Sequence, residues 1–258
     1  TIGCDMNIGL DVGIAQRDRI LKRSERVLAS LIGGQAGAAT MGQRCESLLK
    51  IGMLGGRHGV PSVGGRVQRY RRPVPDLLDV TILSIQSAVA YGHAGNSSAV
   101  FPLQRLGIET WPVYTVTFSN HTGYSSWRGP LIPADQVREV IWGIDERGVY
   151  DQCQAVLTGY QGSPEVGHVV LDAVQLVKSR NPQAIYCCDP VFGDVGRGIY
   201  AQPGIPEFFR DHVLPAADVV TPNLFELEYL SGRSTSTMAS VLSAIEELRL
   251  RGPRTVLA

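Results

Sequence analysis

The stretch AVLTGYQGSPEVGHVVLDAVQLVKSRNPQAIYCC, residues 155–188, decides the fold. Residues 155–158 and 184–188 are short apolar runs, predicted as strands, and residues 164–179 between them are predicted as a helix. A strand, a helix and a second strand in that order make a right-handed βαβ unit with parallel strands. Within the second run Cys187 and Cys188 are neighbours, so their side chains must leave opposite faces of the sheet. Working outward, strands are predicted at 81–85 and 111–118 upstream and at 218–221 and 255–258 downstream. Helices are predicted at 96–106, 134–147, 206–212, 224–230 and 237–251. The alternation predicts an α/β fold: a doubly wound, mainly parallel sheet with helices on both faces. In such a sheet ligands bind beyond the C-terminal ends of the strands. The last run reaches Ala258 with no helix after it, and a parallel strand needs cover on both faces. The expectation is a domain incomplete at its C-terminus.

Residues 1–79 read differently. They hold 13 of the 29 glycines and carry a net charge of +5, whereas the whole chain is neutral with 24 basic and 24 acidic residues. This shift predicts a boundary, with a Gly/Arg-rich, poorly ordered extension at 1–79 and the α/β domain at 80–258. Inside the extension, Ile20, Leu21, Val27, Leu28, Leu31 and Ile32 form an apolar stripe with basic residues opposite, interrupted at Ser24. The stripe suits either a surface-binding or targeting helix or an ordinary solvated one.

Neutral overall charge gives no sign of a nucleic-acid or anionic-membrane partner. No apolar run approaches the roughly 20 residues that span a bilayer, and no secretory signal is visible. Five cysteines in no zinc spacing are read as free thiols, which fits a cytoplasmic protein.

Five polar motifs fall at successive strand ends. Ser87, in Ile85-Gln86-Ser87 ahead of Tyr91-Gly92-His93-Ala94-Gly95-Asn96, suits either a small polar ligand or a plain βα turn with Asn96 as N-cap. Phe118-Ser119-Asn120-His121-Thr122-Gly123-Tyr124 sets donors and acceptors beside two aromatic rings, as an aromatic heterocycle would require; a hydrogen-bonded turn is the alternative. Tyr160, in Thr158-Gly159-Tyr160-Gln161-Gly162, either walls a pocket or is exposed. Asp189 follows its strand directly and Asp194 comes five residues on; two carboxylates over a loop suit a hydrated cation beside phosphates, and Asp-Pro also starts turns. In Thr221-Pro222-Asn223-Leu224-Phe225-Glu226, Asn223 and Glu226 make a capping box, and helix N-termini also attract phosphate.

Together with Phe101-Pro102-Leu103 and Cys188-Asp189-Pro190-Val191, these motifs resemble the pyridoxal kinases of the ribokinase-like superfamily over about 81–258; the FSNHTGY string is the most specific part. The resemblance implies transfer of the ATP γ-phosphate to the 5′-hydroxyl of pyridoxal, and of pyridoxine and pyridoxamine, in vitamin B6 salvage. It implies that Ser87, Phe118, His121, Thr122 and Tyr160 bind the vitamin. It sets Asp189, Asp194, Tyr200 and Thr221 on the phosphate side, with Tyr200 in a covering loop. Asp189, Asn223 and Glu226 would organise Mg²⁺, and a monovalent cation also suits the family. The partners implied are pyridoxal and ATP, and the assembly a homodimer. The family's catalytic Asp lies in a later Gly-x-Gly-Asp motif, which does not occur up to Ala258. The expectation is therefore that this chain alone is inactive. A non-catalytic pyridoxal-binding protein and a hydroxymethylpyrimidine kinase are the alternatives.

Overall fold

The computed structural model describes residues 80–258. The extension, with its 17–32 stripe, its glycine pairs, Cys4 and Cys45, lies outside the described residues.

Six strands form one parallel sheet: β1 (Thr81–Tyr91), β2 (Glu109–Asn120), β3 (Cys153–Thr158), β4 (Ile185–Cys188), β7 (Val219–Val220) and β8 (Thr255–Val256), in the order β2-β1-β3-β4-β7-β8. Two further strands, β5 (Gly193–Asp194) and β6 (Gly198–Ile199), form a separate antiparallel hairpin. The helices are α1 (Asn96–Arg105), α2 (Ala134–Asp145), α3 (Pro164–Arg180), α4 (Ile205–Phe208), α5 (Leu214–Ala216), α6 (Leu224–Ser231) and α7 (Met238–Arg249).

The strands alternate strictly. Leu83, Ile85, Val156, Tyr186, Cys188 and Val220 pack with α2, α3, α6 and α7 on one face. Ile82, Ala155, Leu157, Cys187 and Val219 pack with Ala99 and Leu103 of α1 on the other. Cys187 and Cys188 thus part to opposite faces, as the two-residue period requires. α3 starts on Ser163, whose hydroxyl accepts from Val166 N, with Pro164 in the first turn. Its C-terminal Lys178 reaches Asp218 Oδ2 at 2.6 Å, and the same oxygen accepts from Tyr186 N at 2.8 Å. One carboxylate therefore ties α3, β4 and the start of β7 together.

Two elements differ from the sequence reading. The first strand does not end at residue 85. β1 and β2 pair onward to Tyr91↔Asn120, past the last β1–β3 pair at Ile85↔Thr158. An extra residue on β2 shifts the register between Gln86 and Ala88. The two strands thus project beyond the sheet as a ribbon, and the 128–132 segment lines the outer edge of β2 through Thr117 N to Pro130 O and Ile132 N to Thr115 O. The helix expected at 206–212 is α4 followed by a π turn at Phe209–Val213 and then α5. The wider turn lets Phe208, Phe209, Val213 and Leu214 all bury.

Candidate functional site

The site opens where β1 leaves the sheet. Ser87 lies within the projecting part of β1, not past its end, and is 8 % exposed. Behind it sits a buried polar chain. Ser84 Oγ donates to Asn96 Oδ1 at 2.7 Å, and Gln86 Nε2 donates to Ser84 Oγ at 2.9 Å. Asn96 Nδ2 reaches the carbonyls of Ser84 (3.1 Å) and Val113 (3.0 Å). Asn96 is therefore not the N-cap expected from sequence. Gly95 holds that position, and Asn96 begins the helix as a buried clamp on β1 and β2. Gly95 takes φ 53° against Ser87, and a Cβ there would run into the Ser87 hydroxyl and carbonyl.

At the end of β2, Phe118 is buried and the chain turns through Ser119 to Tyr124. Asn120 Nδ2 binds the carbonyls of His121 (3.2 Å) and Ser126 (2.9 Å), which shapes the turn. His121 Nδ1 accepts from Gly123 N at 3.0 Å. That bond leaves Nε2 as the protonated nitrogen of the neutral ring. Burial, and then the Arg197 guanidinium, hold His121 below its ordinary pKa, so the neutral donor is the form present at neutral pH.

At the end of β3, Thr115 Oγ1 donates to Tyr160 O at 2.6 Å and fixes the turn that carries the Tyr160 ring; burial raises the pKa of its phenol. At the end of β4 stands Asp189. Thr221, just after β7, donates its hydroxyl to Asp189 Oδ1 at 3.1 Å. Burial pushes the Asp189 carboxyl up to about 7, with the Thr221 bond opposing. Glu226 lies close behind and is buried. Its Oε1 accepts from Phe192 N (3.0 Å) and Gly193 N (3.4 Å), and its Oε2 from Asn223 N (3.0 Å). Burial, and next the charge of Asp189, raise Glu226 to about 8. Asn223 Oδ1 accepts from Glu226 N at 3.0 Å, which completes the capping box of α6. Asn223 Nδ2 donates to Gly193 O at 2.8 Å, so the same box also anchors the β5–β6 hairpin.

These strand ends surround a cleft of about 520 Å³. Ser87, Phe118, His121, Thr122, Tyr160, Asp189 and Tyr200 all line it. Thr221, Asn223 and Glu226 do not: they stand behind Asp189 and hold it and the hairpin. Asp194 is exposed on the hairpin, where its Oδ1 accepts from Val195 N at 2.7 Å, and it stands off the cleft wall. The sequence reading gave no role to Gln86, Val116 or Val191, which also line the cleft. Gln86 sits beside Ser87 in the same motif, just past the residue at which the strand was expected to end, where no period assigns it a face. Arg197 was missed as well. It closes the hairpin onto the His121 turn, and no spacing rule marks a lone arginine in a glycine-rich loop.

The chemistry of the donor set limits how a cation would be held. Among the described residues no three His, Cys, Asp or Glu side chains converge on a metal position. Glu226 and Asn223 are spent on backbone N–H groups and a carbonyl. Asp189 is the carboxylate on the cleft wall. This fits Mg²⁺, which keeps several waters and takes one or two carboxylates plus substrate phosphates, and does not fit an all-protein cage.

The family model described as phosphomethylpyrimidine kinase matches residues 111–258, more than half of the chain. The chain belongs to that kinase family. Its fold is the α/β ribokinase-like fold. Family relatives include "Pyridoxal kinase PdxY" of Rubrobacter xylanophilus, 61 % identical over 69 % of this chain and 61 % of its own length. The protein of the same name from Leifsonia xyli is 60 % identical over 68 % of this chain and 62 % of its own length. The solved structure "Pyridoxal Kinase from Leishmania donovani in complex with ADP and Pyridoxine" superposes with a TM-score of 0.66 at 33 % identity, covering 69 % of this chain and 61 % of that one. The chain thus spans about three-fifths of the length of the family members it matches.

Proposed function

We propose that the protein transfers the ATP γ-phosphate to the 5′-hydroxyl of pyridoxal, and of pyridoxine and pyridoxamine, and that the described cleft is its vitamin pocket. The observation that carries this reading is the convergence of Ser87, Phe118, His121, Thr122, Tyr160, Asp189 and Tyr200, from β1 to β4 and the β5–β6 hairpin, on one cleft. The volume suits a single substituted ring, and the lining is mostly apolar with a few polar groups. The names of the relatives, and the ADP and pyridoxine of the Leishmania structure, support the same reading.

In this account Phe118 and Tyr160 hold the ring between them. Ser87 hydrogen-bonds its polar edge, and His121 donates through Nε2. Asp189 faces the phosphates at the other end of the cleft, and Thr221 fixes its orientation. Glu226 and Asn223 hold the backbone of 192–193, and Tyr200 covers the site from the hairpin. Mg²⁺, held by Asp189 through its waters, would supply charge neutralisation on the phosphates, and a monovalent cation is a further member of the proposed set. Holding the hydroxyl in line with the phosphate is the protein's main contribution to phosphoryl transfer. Asp194, exposed on the hairpin, would act only by approaching the phosphates when the nucleotide is bound. We place the protein in the cytoplasm, to be checked by cell fractionation, and as a homodimer, to be checked by light scattering; among the described residues no helix is long and apolar enough to cross a membrane.

A second reading has one observation behind it: the matching family model is described by a phosphomethylpyrimidine, not a pyridine. A panel of pyridoxal, pyridoxine, pyridoxamine and hydroxymethylpyrimidine, each titrated into the chain by calorimetry, separates the two without requiring turnover. Tighter binding of the three vitamers than of hydroxymethylpyrimidine supports the proposal. Preference for the pyrimidine would overturn it.

A further inference from the structure

Arg197 sits in the turn between β5 and β6, where Gly196 takes φ 82° and lets the chain double back. Its guanidinium makes two unlike contacts. Nη2 donates to Thr122 O at 3.1 Å, in the turn that follows β2. Cζ lies 4.7 Å over the centroid of the Tyr200 ring, on its own hairpin. The same group is close enough to Gly123 that a Cβ there would stand 3.4 Å from Nη1. Thr122 and Tyr200 both line the cleft, one from the turn after β2 and the other from the β5–β6 hairpin. Thr122 and Arg197 are 75 residues apart, and this guanidinium joins their two elements.

We propose that Arg197 is a positioning residue, a latch that fastens the β5–β6 hairpin to the His121–Tyr124 turn and so holds His121 and Tyr200 against the bound ligand. This rests on the vitamin-pocket reading. The planar guanidinium can donate in its plane and stack through its face at once, which a lysine ammonium cannot. Arg197 and its bond to Thr122 are exposed while Tyr200 is half-buried, so the latch is weak enough to open when a ligand enters or leaves. The shift of His121 by Arg197 reports the same proximity. The acidic groups nearest the latch are Asp194 on the hairpin and Asp189 and Glu226 behind Tyr200, whose influence reaches the Tyr200 phenol.

The test uses the full chain as wild type, Arg197→Ala and Arg197→Lys, with two readouts. The first is the NMR titration midpoint of the His121 ring, which needs no ligand. The second is the affinity for pyridoxal by calorimetry. Arg197→Ala raises the His121 midpoint and weakens pyridoxal about tenfold, the equivalent of ~1.4 kcal/mol. Arg197→Lys keeps the midpoint near wild type through its charge but recovers only part of the affinity, because it cannot stack. An unmoved His121 midpoint in Arg197→Ala overturns the latch. A moved midpoint with pyridoxal affinity within about twofold of wild type overturns its role in holding the ligand. If wild type itself does not bind pyridoxal, the vitamin-pocket reading fails, and the midpoint alone still decides whether the latch exists.

Discussion

Thr221 donates its hydroxyl to Asp189 across 3.1 Å, and so the end of β7 sets the direction of the carboxylate that the end of β4 presents to the cleft. Behind that pair, Glu226 adds a second carboxyl whose charge Asp189 opposes.

Stability should therefore fall with pH. Asp189 at about 7 and Glu226 at about 8 both stand above the ordinary carboxylate range. The folded state binds more protons than the unfolded chain, so the stabilising contribution is complete below about pH 4 and is lost as pH rises through the folded values. Thermal melts without divalent cations should show a Tm that declines from about pH 5 to about pH 9. Asp189→Asn should flatten the decline, because it removes one carboxyl and the repulsion on the other. Added Mg²⁺ should raise Tm more at the alkaline end. A Tm that rises over this range contradicts the arrangement.

Asn96 should be costly to remove. Its amide binds the carbonyls of Ser84 and Val113 while its oxygen takes the Ser84 hydroxyl, all in a buried setting. Asn96→Ala removes these three buried bonds at a cost of roughly 1–3 kcal/mol, read by urea denaturation. The same loss frees the β1–β2 ribbon, so pyridoxal affinity should drop as well. An unchanged denaturation midpoint would show that water replaces the clamp without penalty.

How much of this was legible in the chain depends on the element. β3, α3 and β4 were readable because their apolar period is regular and flanked by Ser163-Pro164 and Asp189-Pro190. The alternation through Tyr186, Cys187 and Cys188 gave both faces of the sheet. The capping box at Asn223 and Glu226 was readable as spacing, but not its second use, in which Glu226 takes two N–H groups from residues 192 and 193. Three features were not legible. β1 runs six residues further than its apolar run because its partner β2 runs on beside it, a tertiary cause. Asn96 looked like a cap because a cap and a buried clamp are the same residue type at the same place. The hairpin strands have two residues each, too few to show any period. The role of each cleft residue came from resemblance to a family; spacing alone left every motif with a structural alternative.

Gln161 marks a place where the packing can be improved. It is 1 % exposed, and among the described residues neither side-chain amide atom has a hydrogen-bond partner. A Cβ on Gly167 would stand 2.7 Å from Gln161 Oε1 and would also run into the Phe208 ring. Gln161→Leu should stabilise the domain by about 1 kcal/mol by removing the unpaired amide. Gly167→Ala should destabilise it by roughly 1–3 kcal/mol by overpacking. Chemical denaturation of both variants checks this pair. Destabilisation by Gln161→Leu would mean that the amide is satisfied in solution.

The most direct test of the account is a calorimetric titration of pyridoxal into the full chain, comparing wild type with Ser87→Ala and with Glu139→Gln on the exposed face of α2. The account predicts saturable binding to wild type and to Glu139→Gln. It predicts about five- to tenfold weaker binding to Ser87→Ala, the loss of one hydrogen bond. Absence of saturable binding to wild type, or Ser87→Ala binding as tightly as wild type, would contradict the claim that this cleft is the vitamin pocket.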